Sequence, residues 1–487
     1  MGKLNPNKYF LYKNRFIIGY ILLAASFLAL ILFVPKIALT GLSASEITSA
    51  TASQNLNLRS VFDGQLVDLP YHLLQKFIFK LIGITTYSVI IPSIIVGGFL
   101  GFFLILLLNR WFRNNTAIIA SIIAVLSSNF LFLVSNGTPL IMVVFWPTLL
   151  LWLGSKVQGK ERPAPIWSFI FAFTLFLSSF TPYMIYLIIL ILIYTILHPH
   201  LRFTIKNLPR IPFIFVSLII LIGFGFMGFI FLQHPETIKP LLYSGDFKIV
   251  TYLNNLKQAF LPFFTWHGVI ESIFLAPQIS LPATLIAVIG LVSTFKGFFA
   301  SRNSIAIFLI IFTILISGFH TDYAVLLILP FTILIAHGLR YIIYKWYNLF
   351  PENPYAKLFG VIPIAIFLFT MITSDLSHFI SGYRYAAPVA NQFSNDLTIV
   401  LTHVKSDNYL LLDQTDDFSK LLNATNTVKP ILKQPLDYLV ITSLDNLPQN
   451  TQVYTMTKHT DEKLELQKIY TSSKSQNSDR LYLYSVK

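Results

Sequence analysis

The chain has 487 residues, 55% hydrophobic and 11% charged, with a formal net charge of +14 and no cysteine. Soluble domains carry roughly a quarter of their residues as charges, so a chain that is soluble throughout is excluded, as are disulfides, thiolate nucleophiles and Cys-ligated metals. The positive charge is spread over short loops without basic blocks interleaved with aromatics, which reads as membrane topology and not as nucleic-acid binding.

Lys3, Lys8, Lys13 and Arg15 precede the apolar run Phe16–Val34. That run is nearer in length to a membrane span than to the core of a signal peptide, and it predicts a retained first helix. Taken in order, apolar runs predict eleven spans near 16–38, 85–108, 117–135, 139–154, 165–180, 183–197, 211–232, 281–298, 303–319, 322–339 and 357–374. This places the N-terminus inside and the C-terminus outside. Arg110, Arg113, Lys156, Arg202, Lys296, Arg302, Arg340 and Lys345 then fall on the cytoplasmic side, as the positive-inside rule requires. Most carboxylates before residue 375 fall on the other side: Glu46, Asp63, Asp68, Glu236, Asp246, Glu271 and Asp322. Acidic residues contribute little to topology, so their gathering on one face points to function.

Three external segments are predicted. In the first, 39–84, residues 43–54 form a small polar helix and 70–82 an amphipathic one. The second helix has Leu73, Leu74, Phe77, Ile78 and Leu81 on its apolar face and His72, Gln75, Lys76 and Lys80 on its polar face. Such a helix lies flat at the lipid headgroups. The second segment, 233–280, mixes prolines with aromatics. The third, 375–487, is richer in acids and carries β-like runs at Tyr409–Leu412, Tyr438–Ile441, Gln452–Thr455 and Leu481–Tyr484, with a helical stretch at Asp413–Leu422. The predicted architecture is therefore a polytopic α-helical membrane protein with two domains. Residues 1–374 form the transmembrane domain, and 375–487 form a small extracytoplasmic α/β domain.

Four motifs follow one another near the start: Ser45-Glu46, Leu69-Pro70-Tyr71-His72-Leu73-Leu74, Leu81-Ile82-Gly83 and Ile90-Ile91-Pro92-Ser93. Later come Phe319-His320-Thr321-Asp322-Tyr323, Leu329-Pro330 and Ala336-His337-Gly338-Leu339. This layout resembles the GT-C glycosyltransferase superfamily, in particular its protein O-mannosyltransferase and aminoarabinose transferase branch. There an acidic pair opens the first external loop, a Pro-aromatic-Leu-Leu helix and a Phe-Gly-like turn follow, and Arg-Leu-Pro-Ser begins the next span. The chain departs from that pattern. Ser45 stands for the first acid, Ile90 for the Arg, and His320 or Thr321 for a late Arg, while Ser135-Asn136-Gly137-Thr138-Pro139 replaces a stretch rich in Glu and Arg.

The resemblance implies transfer of a sugar from a polyprenyl-phosphate donor to a glycan, lipid or protein acceptor on the outer face of the membrane, with inversion. Such chemistry needs a carboxylate at the attacking hydroxyl and cationic or metal groups at the leaving phosphate. Candidate acids are Glu46, Asp63 and Asp68; candidate substrate-binding residues are His72, Lys76, Lys80, Trp266, His267, His320 and Asp322. A divalent metal stays open, since no set of ligands has a diagnostic spacing. Each candidate also has a structural reading. Ser43-x-x-Glu46 is a capping box, Asp63-Gly64 a turn, Lys76 and Lys80 snorkelling side chains, and Trp266-His267 an interface anchor. Asp68 reads equally as a solvated approach to Pro70, and His320 and Asp322 as loop residues. Two other function classes remain: a non-catalytic binder of lipid-linked glycan or scaffold, and a transporter. The second would call for inverted repeats and charges deep in the spans, and the sequence displays neither.

Overall fold

In the computed structural model the described residues are 33, 43–84, 86–158, 164–197, 202–203, 210–242, 248–264, 280–297, 300–349, 354–385, 409–411, 439–441, 447–455, 458–459, 461–471 and 480–487. The expected first span, apart from Phe33, and the expected helix at 413–422 lie outside them.

Ser43 and Glu46 exchange side-chain and backbone hydrogen bonds, and the capping box starts helix α1, Ala44–Asn55. A short helix α2, Leu58–Phe62, follows. Pro70 lies in the first turn of α3, Leu69–Ile82, where its missing N–H costs nothing, and Gly83 ends that helix at φ +85°. The amphipathic character of α3 differs from expectation. Gln75, placed on the polar face, is 0% exposed. Leu73, Phe77 and Leu81 are exposed and fall at i, i+4 and i+8 on one stripe. The helix packs through Tyr71, Gln75, Ile78 and Phe79, because Gln75 finds partners for its whole amide there. Its apolar stripe is left for surroundings that are themselves apolar.

Helical segments occupy every expected span from residue 85 onward. They are α4, Thr86–Trp111; α5, Asn114–Val125; α6, Ser128–Ser135; α7, Met142–Gln158; α8, Ala164–Ser178; and α9, Met184–Leu197. Then come α10, Arg210–Gln233; α11, Ile238–Leu242; α12, Ile249–Phe264; α13, Leu281–Lys296; α14, Ser301–Ser317; α15, Ile328–Leu349; and α16, Pro354–Tyr385. Among the described residues three helices are long and apolar enough to cross a membrane, or five if two bent pairs each count as one span. Five shorter apolar helices accompany them. The chain is an integral membrane protein.

The expected span 117–135 is two helices, α5 and α6, bent by 59°. Ser127 makes the break: its Oγ donates to the Ala124 carbonyl at 2.6 Å and accepts the Phe130 N–H at 3.4 Å, closing one helix and capping the next. The expected span 322–339 opens instead with a 3₁₀ turn, Thr321–Leu327, ahead of α15.

Buried apolar side chains from α4–α7, α9 and α13–α16 form one continuous core. Within it α13 and α15 touch backbone to backbone. A Cβ on Gly290 would collide with the Leu334 carbonyl oxygen, and one on Gly338 with that of Ile286. Small residues at such crossings let helix backbones approach in lipid.

Past α16 the described strands are β1, Tyr409–Leu411; β2, Leu439–Ile441; β3, Gln452–Thr455; β4, Leu464–Thr471; and β5, Arg480–Val486. They form one mixed sheet in the order β2-β1-β3-β5-β4, with β1 parallel to β2 and β3, and β5 antiparallel to β3 and β4. Over their described residues the four β-like runs of the sequence are strands. The fifth, β4, has a register shift between Leu466 and Lys468, which breaks the alternation that would have announced it.

Candidate active site

Glu46 stands in the first turn of α1, where a carboxylate complements the helix dipole. Its Oε2 accepts the Ser43 N–H at 2.7 Å, and Ser43 Oγ accepts the Glu46 N–H at 3.2 Å. Its other oxygen, Oε1, accepts the N–H of Gly137 at 2.6 Å. The residue is 0% exposed. Burial pushes its carboxyl up to about 7, against the opposing pull of the Gly137 and Ser43 donors. Gly137 is required for this approach, since a Cβ there would stand 2.8 Å from the Val89 carbonyl oxygen.

A second set of bonds docks α3 onto the same turn. Gln75 Oε1 accepts from Ser53 Oγ at 2.5 Å and from Ser49 Oγ at 3.1 Å. Its Nε2 donates to the Val89 carbonyl at 3.0 Å and to the Gly137 carbonyl at 3.4 Å. Tyr71 Oη and Ser93 Oγ lie 2.7 Å apart, and Ser93 Oγ donates to the Thr138 carbonyl at 3.4 Å. His72 Nδ1 lies 2.7 Å from Ser53 Oγ. Ser53 already donates to Gln75, so the imidazole is the donor in that pair. Burial lowers the His72 pKa to about 4, leaving the ring neutral near pH 7. It therefore acts as a brace between α1 and α3 and not as a cation.

Asp68 precedes α3 in the left-handed region, at φ 51° and ψ 28°. A non-glycine residue rarely holds that conformation unless its surroundings impose it. Here its N–H donates to the Phe180 carbonyl at 2.8 Å, and the Thr181 hydroxyl hydrogen-bonds its carboxylate. Thr181 Oγ1 in turn accepts Trp146 Nε1–H at 3.0 Å. Asp68 is 9% exposed, and its Oδ1 is buried without a hydrogen-bond partner. Burial raises its carboxyl to about 7, with the Thr181 bond opposing. A second left-handed residue, Tyr183 at φ 62°, follows three positions after Phe180, its N–H donating to the Leu241 carbonyl at 2.9 Å. The Tyr183 ring meets Tyr323 edge-on, with centroids 4.8 Å apart. Tyr323 is within electrostatic range of both Asp68 and Asp322.

The other candidates divide. His320 Nδ1 lies 3.6 Å from Asp322 Oδ2, and the His320 ring is 5.6 Å from that of Tyr323, so both residues join the Asp68 side. Asp63 is exposed and closes α2 ahead of Gly64, whose φ of +96° marks the expected turn. Lys76 Nζ donates to the Leu56 carbonyl, and Lys80 is exposed. Trp266 and His267 lie outside the described residues. Among the described residues no three His, Asp or Glu side chains gather as a metal site. Thr181 and Tyr183 carry no signal of a site in the sequence, and Gln75 and Tyr323 are named there only as a polar-face residue and a motif residue. Thr181-Pro182-Tyr183, a polar interruption between two short apolar runs, signals only that the chain must turn there.

The structure of ArnT from Cupriavidus metallidurans bound to undecaprenyl phosphate matches with a TM-score of 0.53 and 12% identity, covering 96% of this chain and 98% of that one. The family model described as dolichyl-phosphate-mannose-protein mannosyltransferase matches residues 70–227. The chain has the GT-C fold and resembles the protein O-mannosyltransferase and aminoarabinose transferase branch. ArnT from the same organism in the apo state matches at a TM-score of 0.49 and 11% identity, over 96% of this chain and 98% of that one. The Archaeoglobus fulgidus oligosaccharyltransferase tethered with an acceptor peptide matches at 0.48 and 10%, over 85% of this chain and 63% of that one. No curated protein matches the sequence. The residues matched by the family model run from the start of α3 to α10, so they include Gln75, Gly137, Thr181 and Tyr183 but begin two positions after Asp68.

Proposed function

We propose that this protein is a membrane glycosyltransferase that moves a sugar from a polyprenyl-phosphate carrier to an acceptor at the outer face of the membrane. The whole-length likeness to ArnT, which was solved with undecaprenyl phosphate bound, supports the donor class. The gathering of acids opposite the basic loops supports the outer face. In this reading the N-terminus is cytoplasmic, eleven spans precede residue 375, and residues 375–487 form an extracytoplasmic domain around the β-sheet.

The observation that carries the reading is the free, buried carboxylate oxygen of Asp68. A buried polar atom without a partner is costly unless a ligand completes it. Asp68 is held in a strained backbone conformation, with Thr181 on its side chain and a wall of Tyr183, Tyr323, His320 and Asp322 nearby. As general base, Asp68 takes the proton of an acceptor hydroxyl while that oxygen bonds to the anomeric carbon. The bond from that carbon to the phosphate oxygen breaks, and polyprenyl phosphate departs with the electron pair. A carboxyl raised to about 7 suits a base working near neutral pH. Glu46, another of the candidate acids, has backbone N–H groups on both of its oxygens and positions the loop. Lys76, with donors to spare beyond Leu56, and Lys80 are the described cations of α3 for the leaving phosphate.

The engagement of both Glu46 oxygens favours a second reading, in which the chain binds lipid-linked glycan without turning it over. Mass spectrometry of polyprenyl-phosphate sugars extracted from cells separates the two. Deletion of the protein is expected to raise the donor pool, wild type to restore it, and Asp68→Asn to leave it raised. Restoration by Asp68→Asn would select the non-catalytic reading, and an identical pool with and without the protein would overturn the proposal.

A further inference from the structure

At the opposite end of the bundle, among the loops that the positive charges mark as cytoplasmic, Arg302 and His337 meet one ring, that of Phe112, and Arg340 stands close by. Arg302, in the first turn of α14, donates from Nη1 to the Trp111 carbonyl at 2.7 Å. Its guanidinium carbon lies 5.7 Å from the centre of the Phe112 ring. His337 of α15 meets the same ring edge-on at 4.7 Å. His337 is 5% exposed, and its Nε2 is buried without a partner. Arg340 follows three positions later, on the same side of α15. It is exposed and close enough to act electrostatically on both Arg302 and His337.

Three features separate this cluster from basic side chains that merely reach for headgroups. Arg302 is half-buried and turned onto Trp111 and Phe112, where a snorkelling arginine extends outward. Among the described residues no carboxylate forms an ion pair with Arg302 or Arg340; those at His234–Glu236 and His320–Asp322 lie elsewhere. Arg302 also sits at the positive end of a 17-residue helix whose cap residue, Ala300, supplies no side-chain acceptor. A cation there is disfavoured by the helix dipole, whereas an anion is favoured by it. Neighbouring positive groups and a helix N-terminus both favour an anion, and the orphaned His337 Nε2 donates to one in its Nε2–H tautomer.

We propose that Arg302, Arg340, His337 Nε2 and the N-terminus of α14 bind a phosphate group, namely the headgroup of an anionic phospholipid in the inner leaflet. The site stands apart from Asp68 and does not depend on the transferase reading. It would tie α4, α14 and α15 together through one lipid.

The test uses the full chain in nanodiscs of phosphatidylcholine doped with phosphatidylglycerol, with retained lipid counted by native mass spectrometry. Arg340→Gln changes an exposed residue and is not expected to disturb folding; Arg302→Gln/Arg340→Gln removes both guanidiniums. Phosphatidylglycerol retention is expected to weaken about fivefold for each arginine removed, from the usual worth of one basic residue at an anionic surface. Retention that survives excess inorganic phosphate supports a lipid headgroup. Displacement by inorganic phosphate at equal concentration would assign the site to a soluble anion and overturn the lipid assignment. Unchanged phosphatidylglycerol occupancy in both variants would overturn the site itself.

Discussion

Gln75→Leu tests how the first external segment is held. Leucine keeps nearly the same volume on α3 but removes four hydrogen bonds at a residue that is 0% exposed. Buried neutral hydrogen bonds contribute about 1 kcal/mol each net, and an abandoned buried partner costs more. The Ser49 and Ser53 hydroxyls can turn back onto carbonyls of their own helix, which recovers part of the loss. The Val89 carbonyl remains within α4, where its second lone pair loses a partner. The Gly137 bond, at 3.4 Å, is the weakest of the four. The balance is a destabilisation of about 2–4 kcal/mol. It should be concentrated in residues 43–84 and around Gly137, because Gln75 is what joins α1, α3 and that turn. Denaturant titration in mixed micelles measures the total, and hydrogen exchange locates it. A variant within about 0.5 kcal/mol of wild type, the range of ordinary surface substitutions, with unchanged exchange in residues 43–84, would refute the docking role.

Two further changes follow from burial and packing. Asp68 carries a carboxyl raised from 3.8 to about 7 by burial, so a base at this position gains activity as pH rises through about 7 and loses it below; a donor-consumption rate without that limb would contradict the assignment. The stability sign is the reverse, because the folded state holds this proton more tightly than the unfolded one. The carboxyl's contribution is full below about 4 and falls as pH rises to about 7, and Asp68→Asn should remove that slope. Gly290→Ala drives a methyl into the Leu334 carbonyl between α13 and α15, whereas Gly225→Ala meets nothing within 4 Å. Overpacking costs about 1–3 kcal/mol or more, so the first should lower the unfolding temperature in detergent and the second should not; equal values would refute the close crossing.

What was legible in the sequence was local. The Ser43–Glu46 capping box and the Asp63-Gly64 turn depend on neighbours one to three positions apart, and both formed. The apolar runs were legible as helices because length and hydropathy mark them. Partners distant in sequence were not legible. Glu46 reaches Gly137 across 91 positions, and Asp68 reaches Phe180 and Thr181 across more than a hundred. No periodicity records such contacts. Gln75 was misplaced for a related reason. An amide on an amphipathic helix reads as exposed until two serines and two carbonyls are seen to surround it. The bend at Ser127 was missed because a hydroxyl that breaks a helix and one that merely turns back onto it look alike in sequence.

Native mass spectrometry of gently purified protein determines whether a lipid-phosphate donor is bound and acted on beside Asp68. Wild type, Asp68→Asn and Glu46→Gln would be compared for a co-purifying polyprenyl-phosphate sugar. The expected result is a bound species of that mass which accumulates on Asp68→Asn, where binding continues and turnover stops. Absence of any polyprenyl-phosphate species from all three forms, including after addition of purified donor, would contradict it.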